Sequence, residues 1–108
     1  MTELAEMTCV PCRGGVPALT AEESGRLAAR LAGWSVVDNH HLEKAYKFAD
    51  FAAALRFAQA VGAIAEEQQH HPELLVAWGR VRVTIWTHKV KGLTESDFIL
   101  AAKIDRIG

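Results

Sequence analysis

The chain has 108 residues, the length of one domain, and its 12 Lys and Arg against 13 Asp and Glu give a net charge of −1. This balance argues against nucleic acid or an anionic membrane as the main partner, because phosphate binding needs clustered basic side chains. Charged residues interrupt the longest apolar-rich stretch, and the N-terminus shows no secretory signal, so the sequence predicts a cytoplasmic protein with no membrane span.

Residues 1–18 are predicted to form an N-terminal tail, because they combine prolines and glycines with no hydrophobic periodicity. The folded domain is expected over residues 19–108. It should open with a helix, since Thr20-Ala-Glu-Glu23 is typical of a capping box, in which hydroxyl and carboxylate satisfy the first free backbone N–H groups. Gly33 should end this helix after about Ala32.

The next segment predicts a hairpin followed by a long helix. Alternating residues indicate two short strands, 34–38 and 42–48, around a turn at Asn39-His40-His41, whose histidines are expected to be exposed. Asp50 can cap the helix, which should run from Phe51 to about Gln69.

The apolar arc of helix 51–69 covers more than half of its circumference, which is wider than one sheet face requires. The residues off the core-facing stripe of Phe51, Leu55 and Ala58 are Phe57, Ala60 and Ile64. Left exposed, they would form the kind of apolar patch that usually marks a contact surface. We therefore expect a homodimer or homotetramer in which this helix packs against its symmetry mate.

A second hairpin and a final helix complete the chain. Strands 74–78 and 81–87 flank Gly79-Arg80, a two-residue connection with the glycine first that a type II′ turn prefers. Thr94-Glu-Ser-Asp97 is another capping box, and the helix that follows should carry Leu100, Ile104 and Ile107 inward. The order α-β-β-α-β-β-α predicts an α+β domain: a four-stranded antiparallel sheet with three helices on one face.

The candidate catalytic residues are concentrated in one segment, Glu66-Glu-Gln-Gln-His70-His71-Pro72. Pro72 disfavours helical geometry at His71, so the long helix should end at about His70 and the two imidazoles could converge. Glu66 lies one helical turn before His70, close enough to orient its ring. A third histidine, His88, closes the last predicted strand. Histidine titrates near neutral pH, so this cluster predicts a site that moves protons.

The spacing of these residues resembles that of the pterin-4a-carbinolamine dehydratase family. The similarity covers residues 19–107 in order, with one departure at Ser96, where many relatives carry a basic residue. The positions that carry the resemblance are Glu66, His70, His71, Pro72, Trp78, His88 and Asp97.

The resemblance implies an enzyme that dehydrates 4a-hydroxytetrahydrobiopterin to quinonoid dihydrobiopterin, which regenerates the cofactor of aromatic amino-acid hydroxylases. It implies no metal and no bound cofactor, and an assembly of two or four subunits. It makes His70 and His88 acid/base groups, while His71 chiefly holds the pterin. The residues expected to bind or orient the substrate are Glu66, Pro72, Trp78, Thr87 and Asp97.

Other interpretations stay open. The chain could be a non-enzymatic protein-binding or dimerisation module on the same fold, although such a module would have no reason to keep three motif histidines. A second alternative is a metal-binding module built on histidines and the C-x-x-C pair of Cys9 and Cys12, although a structural zinc site needs four ligands. Asp97 has an ordinary role as a helix cap, and aromatic residues such as Trp78 and Trp86 usually pack in strands.

Overall fold

The structure, a computed structural model, describes residues 18–107. Helix α1 spans Ala21–Ala28 and begins at the predicted capping box. Thr20 Oγ1 accepts a hydrogen bond from Glu23 N at 3.2 Å, and Glu23 Oε1 accepts one from Thr20 N at 2.9 Å. The helix ends before Ala32, and the chain turns through Gly33, whose φ of 80° lies in the left-handed region that glycine tolerates.

Four strands form one antiparallel sheet in the order β1-β2-β4-β3, so that β4 lies between β2 and β3. The strands are β1 Ser35–Val37, β2 His41–Lys47, β3 Glu73–Ala77 and β4 Arg80–Ile85. Leu42 pairs with Ile85 across β2 and β4, and both side chains are buried. Every second side chain of β4 is buried on the same face as Ile85, and the side chains between them point to the opposite face. We call that opposite face the open face of the sheet.

Both hairpin turns lie one residue earlier than the sequence indicated. In the first, Asp38 and Asn39 have φ values of 52° and 49°, the pattern of a type I′ turn, so His41 belongs to β2. In the second, the expected Gly79-Arg80 turn is wrong, because Arg80 is already paired in β4. Trp78 and Gly79 make that turn, and the positive φ falls on the second residue rather than the first.

Helix α2 spans Phe51–Gln68, with Asp50 Oδ1 accepting a hydrogen bond from Ala53 N at 2.8 Å. The assignment of its faces from the sequence was wrong for the large residues, although Ala58 is buried and Ala60 is exposed as expected. Phe57 is 6% exposed and packs against β2, whereas Phe51 and Leu55 are 46% and 42% exposed. Ile64 also packs against the core. The apolar surface that α2 leaves uncovered is therefore that of Phe51 and Leu55.

Helix α3 spans Glu95–Asp105 and buries Leu100 and Ile104 as expected, whereas Ile107 beyond its end is 42% exposed. The helices cover one face of the sheet, and the core lies between the two layers. This confirms the predicted α+β fold and the order of its elements. Within residues 18–107, no helix is long and apolar enough to cross a membrane.

The end of α3 is joined to the sheet through the carboxylate of Asp105. Trp34 Nε1 donates to Oδ2 at 3.0 Å, and Lys44 Nζ donates to Oδ1 at 2.8 Å. The hydroxyl of Tyr46 donates to Oδ1 as well. Burial of the ring and this hydrogen bond raise the pKa of Tyr46 well above its ordinary value of 10.0. The cluster is a polar anchor for α3 and lies apart from the histidine motif.

Candidate active site

The end of α2 separates the two motif histidines. Gln69 adopts the left-handed conformation, with φ 55° and ψ 37°, and His70 N donates back to Ala65 O at 3.2 Å. This is the Schellman pattern of helix termination, although the left-handed residue is usually glycine. The reversal takes His70 off the helical face that the sequence assigned to it, and His71 and Pro72 follow outside any helix or strand.

His70 points inward to Asp97. Its Nε2 lies 2.6 Å from Asp97 Oδ1, and the side chains are 11% and 0% exposed. The other carboxylate oxygen accepts hydrogen bonds from Thr94 N and from Thr87 Oγ1, both at 2.8 Å. Asp97 therefore caps α3 and holds the His70 ring at the same time.

His71 turns back over α2 and pairs with Glu66, whose Oε2 lies 2.8 Å from His71 Nε2. The sequence had paired Glu66 with His70, and that expectation is wrong because the left-handed Gln69 breaks the helical spacing. Both partners are largely exposed, at 58% and 76%, so solvent screens the pair and it contributes little to stability. Its effect is to orient the imidazole at the surface.

His88 comes from a tight loop after β4. Thr87 N donates to Gly92 O at 2.9 Å, and the two residues form an isolated antiparallel bridge that closes residues 88–91 into a turn. The imidazole stacks on the indole of Trp86, with centroids 4.4 Å apart and planes 26° from parallel. His88 thus lies beyond the strand that the sequence expected it to close.

The three histidines border one cavity of about 240 Å³. Its lining consists of Gln69, His70, His71, Trp86, Thr87, His88 and Lys89. Asp97 and Glu66 lie within hydrogen-bond distance of His70 and His71 in this lining. Trp78 is not part of it: it lies 75% exposed at the far end of β3, a five-residue strand of roughly 17 Å.

Sequence reasoning missed Gln69 and Lys89 as lining residues, and it interpreted Trp86 as an aromatic residue that packs in a strand. Trp86 follows Thr84 by two positions and so shares the open face of the sheet. A second cavity of about 760 Å³ lies on that face. Its lining includes Glu43, Glu73, Arg82 and Thr84, and Trp86 borders both cavities. His40 and His41, expected to be exposed, are partly buried beside Trp86.

Two histidine–carboxylate pairs and a third histidine around one cavity supply the kinds of group that acid–base chemistry uses. Among residues 18–107, no three His, Cys, Asp and Glu side chains are grouped so that they could hold a metal ion. The Cys9 and Cys12 pair, the metal hypothesis built on it and the predicted tail lie outside this range, apart from Ala18.

Residues 17–107 match the family model described as Pterin 4 alpha carbinolamine dehydratase. A Rubrobacter xylanophilus protein assigned by name to these dehydratases is 57% identical over 107 residues, 99% of this chain and 100% of the relative. One from Rickettsia canadensis, with the same assignment, is 54% identical over 97% of each chain. The chain belongs to the pterin-4-alpha-carbinolamine dehydratase family.

The fold has a solved counterpart as well. A crystal structure of a transcriptional coactivator/pterin dehydratase from Brucella melitensis superposes with a TM-score of 0.78 at 37% identity. The match covers 83% of this chain and 97% of that one. The architecture therefore agrees with the family to which the sequence belongs.

Proposed function

We propose that the chain dehydrates 4a-hydroxytetrahydrobiopterin to quinonoid dihydrobiopterin and water, as a lyase of tetrahydrobiopterin regeneration. The observation that carries this proposal is the pairing of His70 with the fully buried carboxylate of Asp97, beside a cavity that His71 and His88 also border. Membership of the family supplies the substrate class.

The reaction needs one proton given and one proton taken. The 4a-hydroxyl leaves as water once it is protonated, the C4a–O bond breaks, and N5 loses its proton as the C4a=N5 bond forms. Protons therefore balance, and two imidazoles can serve the two transfers. Because Asp97 accepts from His70 Nε2, that nitrogen carries a proton and Nδ1 is left for exchange with the ligand. We assign the transfers to His70 and His88.

The remaining residues would bind and orient the pterin. Glu66 holds His71 at the cavity edge, so this imidazole can donate or accept a hydrogen bond to the ring. Thr87 is buried and donates a hydrogen bond to Asp97, which fixes the start of the loop that carries His88. Pro72 keeps His71 out of helical geometry. Trp78 lies outside the cavity of its own chain, so we give it no contact there.

The test is the rate at which 4a-hydroxytetrahydrobiopterin loses water with and without the protein. Chelator-treated protein, shown by circular dichroism to be folded, should accelerate the reaction above the spontaneous rate without added metal or nucleotide. A His70→Ala/His88→Ala double variant of equal fold content is the matched control. If wild type and control give the same spontaneous rate, the enzyme proposal fails.

The exposed face of α2 supports assembly into a homodimer or homotetramer. Phe51 and Leu55 are large apolar residues about 40–50% exposed on the helix that the sequence assigned to a subunit contact. We propose that a second copy covers them, that the assembly works in the cytoplasm, and that it serves an aromatic amino-acid hydroxylase. We assign neither nucleic acid nor membrane as a partner.

A second candidate is a protein-binding module on the same fold. The observation in its favour is the Brucella melitensis structure, whose name combines transcriptional coactivator with pterin dehydratase. The Phe51 and Leu55 face of α2 could serve such a partner. A variant without catalytic histidines separates the two functions, because it should lose dehydration and keep every contact made through α2.

A further inference from the structure

Trp86 lies between the histidine cavity and the groove on the open face of the sheet, and borders both. One side of its indole carries the His88 imidazole, 4.4 Å away between centroids and only 26° from parallel. Aromatic rings at this separation attract each other beyond the effect of buried area alone. The contact therefore favours one orientation of the His88 ring over the others.

The orientation of the His88 ring depends on its contact with Trp86, whereas His70 and His71 are held by hydrogen bonds. Carboxylates hold His70 and His71, at 2.6 and 2.8 Å. Within residues 18–107, the His88 ring has no hydrogen bond and no ion pair, and its side chain is exposed. An exposed imidazole samples several rotamers unless a neighbour selects one. The indole of Trp86 is the neighbour that can do so.

The indole also has two histidine neighbours from the first hairpin. The ring centroid of His40 lies 5.4 Å from that of Trp86, and the centroid of His41 lies 6.2 Å from it. The two histidines contact each other through their Nδ1 atoms, 3.1 Å apart. The rings of His40, His41 and Trp86 therefore form a cluster on the open face, and His88 stacks on the indole of that cluster.

We propose that Trp86 is a positioning residue, which holds the His88 imidazole against the cavity so that it can exchange a proton with the pterin. This rests on the proposed function, in which His88 performs one of the two transfers. Trp86 acts through His88 and takes no part in the proton transfer itself. Its loss should lower kcat more than it changes KM, because the pterin contacts of His71 remain.

The kinetic test compares Trp86→Ala and Trp86→Phe in the wild-type and His88→Ala backgrounds. Trp86→Ala should lower kcat by roughly 3- to 10-fold, the range expected from losing one aromatic pair. Trp86→Phe, which keeps a ring to stack on, should restore most of that loss. In the His88→Ala background, Trp86→Ala should have no further effect, because residues that act as a unit are not additive.

Leu75→Ala is the matched control, because Leu75 is a large, 45% exposed apolar residue on the open face of β3. It should leave kcat unchanged. An equal loss of kcat from Trp86→Ala with and without His88 would overturn the proposal, since Trp86 would then act independently. Failure of Trp86→Phe to restore activity would overturn it as well.

A second readout does not depend on catalysis. The ring current of a stacked indole moves the proton resonances of His88 upfield, and His→Ala variants assign those resonances. Trp86→Ala should remove the upfield shift, while Leu75→Ala should leave it in place. If Trp86→Ala leaves the His88 resonances unmoved, the positioning role fails even in an active enzyme. If the protein has no dehydratase activity, the proposed function is contradicted. The His88 resonances then still decide whether Trp86 orients the His88 ring.

Discussion

Asp97 Oδ1 lies 2.6 Å from His70 Nε2, although 27 positions separate the two residues along the chain. The carboxylate can accept a hydrogen bond from His70 only because α3 begins beside the end of α2. An amide in its place could present its NH₂ group to the ring and reverse the hydrogen bond.

We predict that Asp97→Asn lowers kcat by about 10²-fold, since acid/base catalysis contributes about 10²–10⁴ and needs the correct tautomer. The amide oxygen can still accept from Thr94 N, so urea unfolding should show a loss of only about 1–3 kcal/mol. Steady-state kinetics on the folded variant checks this. A kcat close to that of wild type would show that the carboxylate serves only to cap α3.

His70 and His71 should respond differently to replacement, because one is buried against Asp97 and the other is exposed beside Glu66. His70→Ala should lower kcat by about 10²-fold or more. His71→Ala should chiefly raise KM. Initial rates over a range of carbinolamine concentrations separate the two constants. Equal, small effects of both variants would contradict the assigned roles without changing the family.

The two faces of α2 predict opposite outcomes for the same substitution. Phe51→Glu and Leu55→Glu should dissociate the oligomer into folded monomers, because each places a charge in the proposed contact. Phe57→Glu should unfold the chain instead, since Phe57 packs between Tyr46 and Phe48 in the core. Sedimentation equilibrium with circular dichroism distinguishes these outcomes. A wild-type monomer at tens of micromolar would contradict the proposed assembly.

Tyr46 is the only tyrosine in the chain, so its titration can be followed by tyrosinate absorbance. Its pKa is raised in the folded state, so the unfolded chain releases the phenolic proton first as pH rises above 10.0. The stability that this group contributes is therefore present below that pH and is lost above it.

We predict that the stability advantage of wild type over Tyr46→Phe shrinks as pH rises from about 8 to 11, because only wild type has this proton to release. Below pH 10 the variant should be less stable by about 1 kcal/mol, the usual net value of one hydrogen bond. Urea unfolding of both proteins measures the difference. A difference independent of pH would show that the phenol titrates alike in both states.

The fold could be predicted because its signals are local. The capping boxes at Thr20 and Thr94, the cap at Asp50 and the alternation in β4 each depend on a few neighbouring residues. Both turns were placed one residue late, because register depends on the partner strand. In the second turn, Gly79 also fits either central position of a two-residue loop. The faces of α2 could not be assigned, because its apolar arc is wide enough to offer two stripes.

The residues of the site were largely predictable, but their pairing was not. The spacing of Glu66 and His70 favours a contact on a continuous helix, and the helix is not continuous there. Gln69 is not a residue that usually adopts the left-handed conformation, so the local sequence did not predict the reversal of the chain at the end of α2. Asp97 reaches His70 only through tertiary packing, and Trp86 meets His88 only because residues 88–91 fold back.

The left-handed backbone of Gln69 has a consequence for motion. A side chain other than glycine raises the energy of this conformation by about 1–2 kcal/mol, and only a few bonds at the end of α2 hold it there. Opening this junction would release that energy, so it should open more often than the middle of α2, where Val61 is fully buried. In amide hydrogen exchange, the backbone N–H of His70 should therefore exchange faster than that of Val61, although a fully buried carboxylate holds the His70 side chain.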